Sequence, residues 1–509
     1  MRGTLTTRRG GAPSLSAVPE EVWLQRGQEN ALATFRRAAR TVPAYRAFLK
    51  EHGIRPRDIR TFEDFQQLPT TSKESYLLKH DLVELMPGGR LDGSCVITRS
   101  SGYTGDSLFW PRLKRQDDGA VLGVNAYYSL FDISRKSTLL LIGLALGTHI
   151  GGQFMTDVSL RVARMPHTRL TVATPGESID DIIELVKHLS TRFDQTIVIG
   201  YPSLLQQLLA VGIERGVQWS RVNAFLISGG ESWSEDWRRL MVGLAGGAPH
   251  PMRVSGIYGS ADGGFMGFET PFSILTKQLS HERANLRRGV FGGRPNAAFV
   301  QFNPAGRFFE SIDGELSLTC WQAVPVVRYR LHDAGEVMPY SAVVQHFGSC
   351  GPAPDELLAS HGVRPEHIWR WPFLSCFGRS DGTVSVVSAN VYPHSLRHIF
   401  AAHRELSHFK LAVKGEGGSD SRFVVYAECA PGRPLSAGTR QRLEQKLHDE
   451  IVATLLQRNA EYRDSLRSHP EVADPRIVIV PHGTGPFAED AGRSKRSYIH
   501  RGGTKEGPK

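Results

Sequence analysis

Apolar positions fall into two periods along this chain. Over residues 21–50, Val22, Leu24, Leu32, Phe35, Ala39 and Phe48 recur at spacings of three and four among Arg, Glu and Gln, which predicts a helix with one apolar face. Residues 61–69 (Thr-Phe-Glu-Asp-Phe-Gln-Gln-Leu-Pro) predict a capped helical turn closed by proline. Between about 95 and 340, short β-branched or leucine-rich runs at 138–146, 169–173, 196–200 and 224–228 alternate with amphipathic helical stretches at 179–193, 203–215 and 234–244. That alternation predicts an α/β architecture with mainly parallel strands. After about 377 the texture changes. Strands at 385–387, 409–413 and 423–428, with helices at 395–403 and 439–456, predict a small α+β domain. Residues 343–372, rich in Pro, His and Trp, read as an insertion or connector, and no internal repeat is visible.

Composition narrows the class. At 509 residues, a prior of ~150 per domain gives about three domains, or one large and one small. Hydrophobic residues at 40%, charged at 22% and aromatic at 9% exclude a disordered, collagen-like or coiled-coil chain. The longest apolar stretch, 138–147, is half of the ~20 residues a membrane span needs, so it reads as a buried strand and no membrane partner is expected. The N-terminus is basic without an apolar segment, so it is no secretory signal; residues 1–19 are expected to be disordered. Cys95, Cys320, Cys350, Cys376 and Cys429 are odd in number and scattered, which argues against a disulfide framework or zinc ribbon and for a reducing cytoplasm. The net charge of +10 is thinly spread, densest between Arg493 and Lys505, and no nucleic-acid-binding signature accompanies it. It suits anionic small substrates better.

The chemistry-bearing residues begin at 98–107, Thr-Arg-Ser-Ser-Gly-Tyr-Thr-Gly-Asp-Ser. Hydroxyls and two glycines there gather the donors a polyphosphate needs, and Asp106 after the second glycine excludes a Walker loop. Further along come Gly200-Tyr-Pro-Ser-Leu-Leu205, Ile227-Ser-Gly-Gly-Glu-Ser232, Ile257-Tyr-Gly-Ser-Ala-Asp262, Pro325-Val-Val-Arg-Tyr-Arg-Leu-His-Asp333, Gly378-Arg-Ser-Asp381 and Asn390-Val-Tyr-Pro393. Ahead of them stand Pro43-Ala-Tyr45, Phe62-Glu-Asp-Phe65 and Leu68-Pro-Thr-Thr-Ser-Lys73. In order and spacing this series resembles the adenylate-forming (AMP-binding) superfamily, and within it the phenylacetate–CoA ligase branch, over about residues 25–500. Two His four apart, His394 and His398, have no acidic or Cys partner placed for a metal, and no nucleophile elbow exists for a serine hydrolase.

The resemblance implies the adenylate-forming fold: a large α/β N-terminal domain (20–377) and a small mobile α+β C-terminal domain (378–509) turning about Asp381. It implies that a carboxylic acid attacks ATP to give an acyl-adenylate, and that the acyl group then passes to a thiol, most simply that of coenzyme A. An aryl or arylacetic acid follows from the branch. Ser100, Ser101, Gly102, Thr104 and Gly105 would cradle the phosphates, with Tyr103 where the family carries Thr. Gly230 and Glu231 would border adenine, Tyr258 would stack on it, and Gly259 and Ser260 complete that motif. Asp333 would accept the ribose hydroxyls, a fitting task for an acceptor-only carboxylate, with Arg379 beside it. Asp262, where the family has Glu, would hold Mg²⁺ with Thr104 on the same side. The family's lysine near the C-terminus aligns with Arg493, with Lys495 two residues on. Because Arg is a planar fork and not a point charge, Lys495 is the favoured catalytic cation. Relatives also pass acyl groups to amines or carrier-protein thiols; that alternative, a non-catalytic nucleotide-binding homologue, and the choice between monomer and homodimer all stay open.

Overall fold

The predicted helix over 21–50 is two helices, Glu20–Thr41 and Pro43–Glu51. Pro43 cannot continue the first helix and holds Val42 extended, and it then serves as the first residue of the second. The next turn, Phe62–Gln66, is capped as its sequence predicts: Thr61 accepts the Asp64 N–H while the Asp64 carboxylate accepts that of Thr61. The computed structural model describes residues 15–92, 94–100, 108–230, 233–294, 298–348, 353–380, 383–387, 389–415, 421–490 and 498–500. Among them, no helix is long and apolar enough to cross a membrane.

The described strands are, in chain order, β1 (Ser94–Ser100), β2 (Leu108–Leu113), β3 (Thr138–Gly143), β4 (Leu170–Ala173), β5 (Gln195–Gly200), β6 (Ala224–Ser228), β7 (Val254–Ser260), β8 (Gly264–Phe268), β9 (Ala298–Gln301), β10 (Phe308–Ile312), β11 (Glu315–Cys320), β12 (Val326–Met338), β13 (Phe373–Arg379), β14 (Val384–Val386), β15 (Ala389–Val391), β16 (Leu406–Lys414), β17 (Arg422–Cys429) and β18 (Arg476–Val480). Eleven form one sheet in the order β10-β11-β12-β13-β9-β8-β7-β6-β5-β3-β4. Strands β3 to β7 pair parallel, and from β7 onward the pairing turns antiparallel. The parallel half is buried on both faces. Leu140, Ile142, Ile197 and Ile199 enter one core with Phe154, Met155 and Val158 of the helix Ile150–Ala163. Their neighbours Leu139, Leu141 and Val198 enter the core on the other face, with the helices Ile179–Leu189, Pro202–Glu214 and Glu235–Ala245. Two covered faces explain why these strands read as unbroken apolar runs.

Residues 343–372 are not a bare connector. The helices Tyr340–Gly348 and Pro354–Ser360 bury Val343, Phe347, Leu357 and Leu358 against Phe272, Phe299 and Phe373, covering the antiparallel half. After Arg379 a separate core forms. The ribbon β14–β15, the three-stranded sheet β16-β17-β18 and the helices Pro393–Ala402 and Ala437–Arg458 enclose Val386, Val391, Leu411, Val425, Leu447 and Ile451. This is the small α+β unit the sequence predicts.

Candidate active site

In a sheet of this kind, ligands bind beyond the carboxyl ends of the parallel strands, where strand order reverses. Here β4 lies on one side of β3 and β5 on the other, so the reversal falls at the ends of β3 and β5, Gly143 and Gly200. Strand β6 ends on the same rim and runs into Gly229 and Gly230. Gly230 sits at φ +86°, and a Cβ on it would lie 2.7 Å from the Tyr201 ring, so the turn needs glycine. At Gly152 the missing side chain lets the helix start pass Ala145, whose carbonyl oxygen a Cβ would meet at 2.0 Å.

Strand β7 brings Tyr258, Gly259 and Ser260 to the rim. The Tyr258 hydroxyl donates to Asp333 Oδ2 at 2.5 Å. Asp333 is buried on β12, paired across the ladder with Arg379 of β13, whose guanidinium lies 3.4 Å from Oδ1 and donates to the Leu331 carbonyl at 2.8 Å. Burial and then the Asp333 charge push the Tyr258 phenol well above its ordinary pKa, so it stays a donor. In the turn after β7, Asp262 accepts the Ser260 hydroxyl and a hydrogen bond from Tyr329 of β12, and Gln322 holds the Asp262 carbonyl at 2.5 Å. Tyr258, Ser260, Asp262, Asp333 and Arg379 are thus tied together through β7, β12 and β13. Tyr258, expected as a stacking ring, also fixes the carboxylate expected to read ribose.

Several expected residues lie outside the described ones: Ser101, Gly102, Thr104, Gly105, Glu231, Asp381, Arg493 and Lys495, and Ser100 is described only as the backbone end of β1. Lys73, quoted in the segment 68–73 without a role, is drawn in by that segment's backbone. Thr71 forms a bridge to β12, with its N–H on the Arg328 carbonyl at 3.1 Å and its carbonyl on the Arg330 N–H at 2.8 Å. This delivers Lys73 to the electrostatic surroundings of Asp262 and Arg379. Glu74 pairs with His332 at 3.0 Å; the hydrogen bond from His332 is the main cause that brings the Glu74 carboxyl down to about 2.

The C-terminal unit meets this rim through the helix Ala460–Ser468. Asp464 lies 3.0 Å from His149, the residue preceding the helix Ile150–Ala163. Burial and then the Asp464 charge raise the Glu177 carboxyl from 4.5 to about 7. The sign follows from linkage: the unfolded chain releases its proton first, so Glu177 costs stability increasingly from pH 4.5 to about 7 and constantly above. Glu177→Gln is therefore expected to gain stability over the parent as pH rises through that window and to match it below pH 4.5. Denaturant midpoints at three pH values check this, and a gap independent of pH would contradict it.

Superposed on 2-hydroxyisobutyryl-CoA ligase in complex with 2-HIB-AMP and CoA in the thioesterification state, the chain gives a TM-score of 0.61 over 96% of this chain and 91% of that one, at 14% identity. The chain has the adenylate-forming enzyme fold. An open conformation of that ligase with the same two molecules gives a TM-score of 0.51 at 13% identity, covering 94% and 91% of the two chains. Its postadenylation state with R3-HIB-AMP gives 0.51 at 13% identity, covering 97% and 94%. No protein-family model and no curated protein matches the chain. In this fold the eleven-stranded sheet and the three-stranded C-terminal sheet account for the large α/β and small α+β parts.

Proposed function

We propose that this protein activates a carboxylic acid with ATP and passes the acyl group to the thiol of coenzyme A. A carboxylate oxygen attacks the α-phosphorus, the bond to the bridging oxygen breaks, and pyrophosphate leaves with the electron pair. The thiol sulfur, having lost its proton, then attacks the acyl carbon, and AMP leaves. The observation that carries this reading is the buried Asp333 held between Tyr258 and Arg379 on the rim of the parallel strands, in a fold whose solved neighbours hold an acyl-AMP and CoA.

On this reading Asp333 accepts the ribose hydroxyls, with Arg379 and Tyr258 keeping it aimed. Gly230 and Glu231 border the adenine beside Tyr258, Gly259 and Ser260. Ser100, Ser101, Gly102, Thr104 and Gly105 cradle the phosphates, where oriented donors stabilise developing charge. Lys495, or Arg493, reaches the acyl phosphate when the C-terminal unit closes. Asp381 is the hinge; just before it, Ser380 is pinned by its N–H to the His332 carbonyl at 2.8 Å and by its hydroxyl to Glu315.

For Mg²⁺ the donor set fits a cation that brings further ligands with it. Asp262 offers one hard carboxylate, which matches an ion held by one or two carboxylates plus substrate phosphates. Asp262 and Thr104 would hold it, and when bound it neutralises phosphate charge. The substrate class we assign is an aryl or arylacetic acid, on the likeness to the phenylacetate–CoA ligase branch.

Pyrophosphate release from ATP over a panel of aryl, arylacetic and fatty acids, with and without coenzyme A, tests the proposal. Acid-dependent release that rises with coenzyme A is the expected result. Release indifferent to coenzyme A would move the acceptor to an amine or a carrier-protein thiol. ATP binding without release across the panel would overturn the reading.

A further inference from the structure

His332 stands directly before Asp333, in a motif that assigns it no role. Between the pairs Ser317–Arg330 and Glu315–Ala334 the register of β11 and β12 slips, and β12 bulges around His332. Its φ of +57° lies in the left-handed region, which crowds any residue with a Cβ. Such a backbone persists only where its surroundings hold it. Here the ring supplies the hold. Nε2 lies 3.0 Å from Glu74, in the stretch between the capped turn and β1, and Nδ1 lies 3.6 Å from Glu315 on β11. The first contact is a hydrogen bond; the second, too long for one, is an attraction between charges. A protonated ring is drawn to both carboxylates, whereas a neutral ring donates to one only.

The bulge also holds the hinge. The His332 carbonyl accepts the Ser380 N–H at 2.8 Å, and Glu315 accepts the Ser380 hydroxyl. Glu315 is itself fixed by Arg330, whose Nε is 2.5 Å away and whose Nη2 lies 3.8 Å from Asp313. Lys73, beside Glu74, has its ammonium 5.7 Å from the centre of the Tyr392 ring. The His332 side chain is 21% exposed and lines an open cleft of about 640 Å³ with Ser72, Ser75 and Ser380, so its proton exchanges with water.

We propose that the protonated ring of His332 is a positioning group that links the carboxylate of Asp333 to the hinge at Ser380. The proposal rests on the nucleotide-activating reading above. With the ring charged, Glu74 and Glu315 hold the bulge, Asp333 faces Tyr258 and Arg379, and Ser380 is latched. When Nδ1 gives its proton to water, Nε2–H stays on Glu74 and a bare lone pair faces Glu315, which repels it. The bulge then relaxes, and the carbonyl that holds Ser380 shifts together with the carboxylate that follows it.

Acid-dependent pyrophosphate release with ATP varied, followed from about pH 6 to about pH 9, spans the titration of histidine. His332→Gln carries no charge. It is expected to lower kcat/KM for ATP about 5- to 20-fold against the parent at pH 6, mainly through KM. At pH 9 the gap is expected to close to less than about twofold, because the parent ring is then neutral too. His332→Arg, charged throughout, is expected to recover most of the loss at pH 6. At that pH, amide hydrogen exchange of the peptide that contains Ser380 is expected to quicken roughly threefold or more in His332→Gln. If His332→Gln fails to fold, Glu74→Gln serves, with roughly a two- to fivefold loss expected at pH 6 and the same convergence. A gap independent of pH, or unchanged exchange at Ser380, overturns the proposal. If the parent releases no pyrophosphate with any acid while exchange still quickens in His332→Gln, the linkage to the hinge holds and the nucleotide reading falls.

Discussion

Asp333→Ala is expected to lower acid-dependent pyrophosphate release by roughly 10²- to 10⁴-fold, because two hydrogen bonds to a charged acceptor, each worth about 1.5–3 kcal/mol, are lost together. Asp333 is buried, takes the Tyr258 hydroxyl at 2.5 Å and faces Arg379 at 3.4 Å, so the substitution also strands a phenol donor and a guanidinium. Asp333→Asn keeps the shape and one acceptor oxygen but no charge, and a smaller loss is expected. Tyr258→Phe keeps the ring and removes only the hydroxyl that aims the carboxylate; about a tenfold loss is expected, as for one neutral hydrogen bond. Steady-state rates with ATP varied check the series, beside melting curves that separate lost chemistry from lost fold. A rate within threefold of the parent for Asp333→Asn would remove this carboxylate from the nucleotide site.

The same pair shows how far the sequence could be read. Asp333 and Tyr258 each stand in a recognisable motif, but their hydrogen bond joins residues 75 apart and exists only because β7 and β12 end on the same rim. Local signals carried over well where they were strictly local. The strand 224–228 falls on Ala224–Ser228, and Thr61 caps its turn. The helix over 21–50 divides because periodicity is blind to the break that Pro43 makes within it. The stretch 343–372 reads as an insertion or connector because its prolines, His and Trp interrupt any helical period; its Val343, Phe347, Leu357 and Leu358 anchor two short helices whose partner Phe373 follows them and whose others, Phe272 and Phe299, precede them. Gly230 stands in the sequence as part of the turn expected to border adenine, and only the fold shows that a left-handed turn against Tyr201 requires it. Lys73 belongs to a recognised N-terminal segment, but only the bridge between Thr71 and Tyr329 ties that segment to β12.

Arg238→Met is expected to cost about 3–5 kcal/mol of stability, the range for removing one partner of a buried ion pair. Arg238 is 1% exposed and lies between two carboxylates, with Glu235 at 2.8 Å and Glu269 at 2.7 Å. Lys277, 3.2 Å from each carboxylate, completes a neutral set of two cations and two anions around the Trp233 ring. Without Arg238 one ammonium must serve both carboxylates, and Glu269 Oε2 already has no hydrogen-bond partner. The set also fixes the site from below. Arg238 donates to the Val254 carbonyl at the start of β7, and the Glu269 N–H donates to the Gly256 carbonyl at 2.8 Å, two residues before Tyr258. Burial would raise the Glu235 pKa, but the charges of Arg238 and then Lys277 outweigh it and bring it to about 2. Its folded value is depressed, so its contribution is complete above 4.5 and is lost as pH falls from 4.5 towards 2. The loss in Arg238→Met should therefore be largest near neutral pH and shrink in acid. The double variant Arg238→Met/Glu235→Leu, which leaves Lys277 facing Glu269 alone, should recover part of it. Denaturant unfolding at neutral and acid pH measures both, and a loss below about 1 kcal/mol at neutral pH would show that water or rearrangement compensates the missing guanidinium.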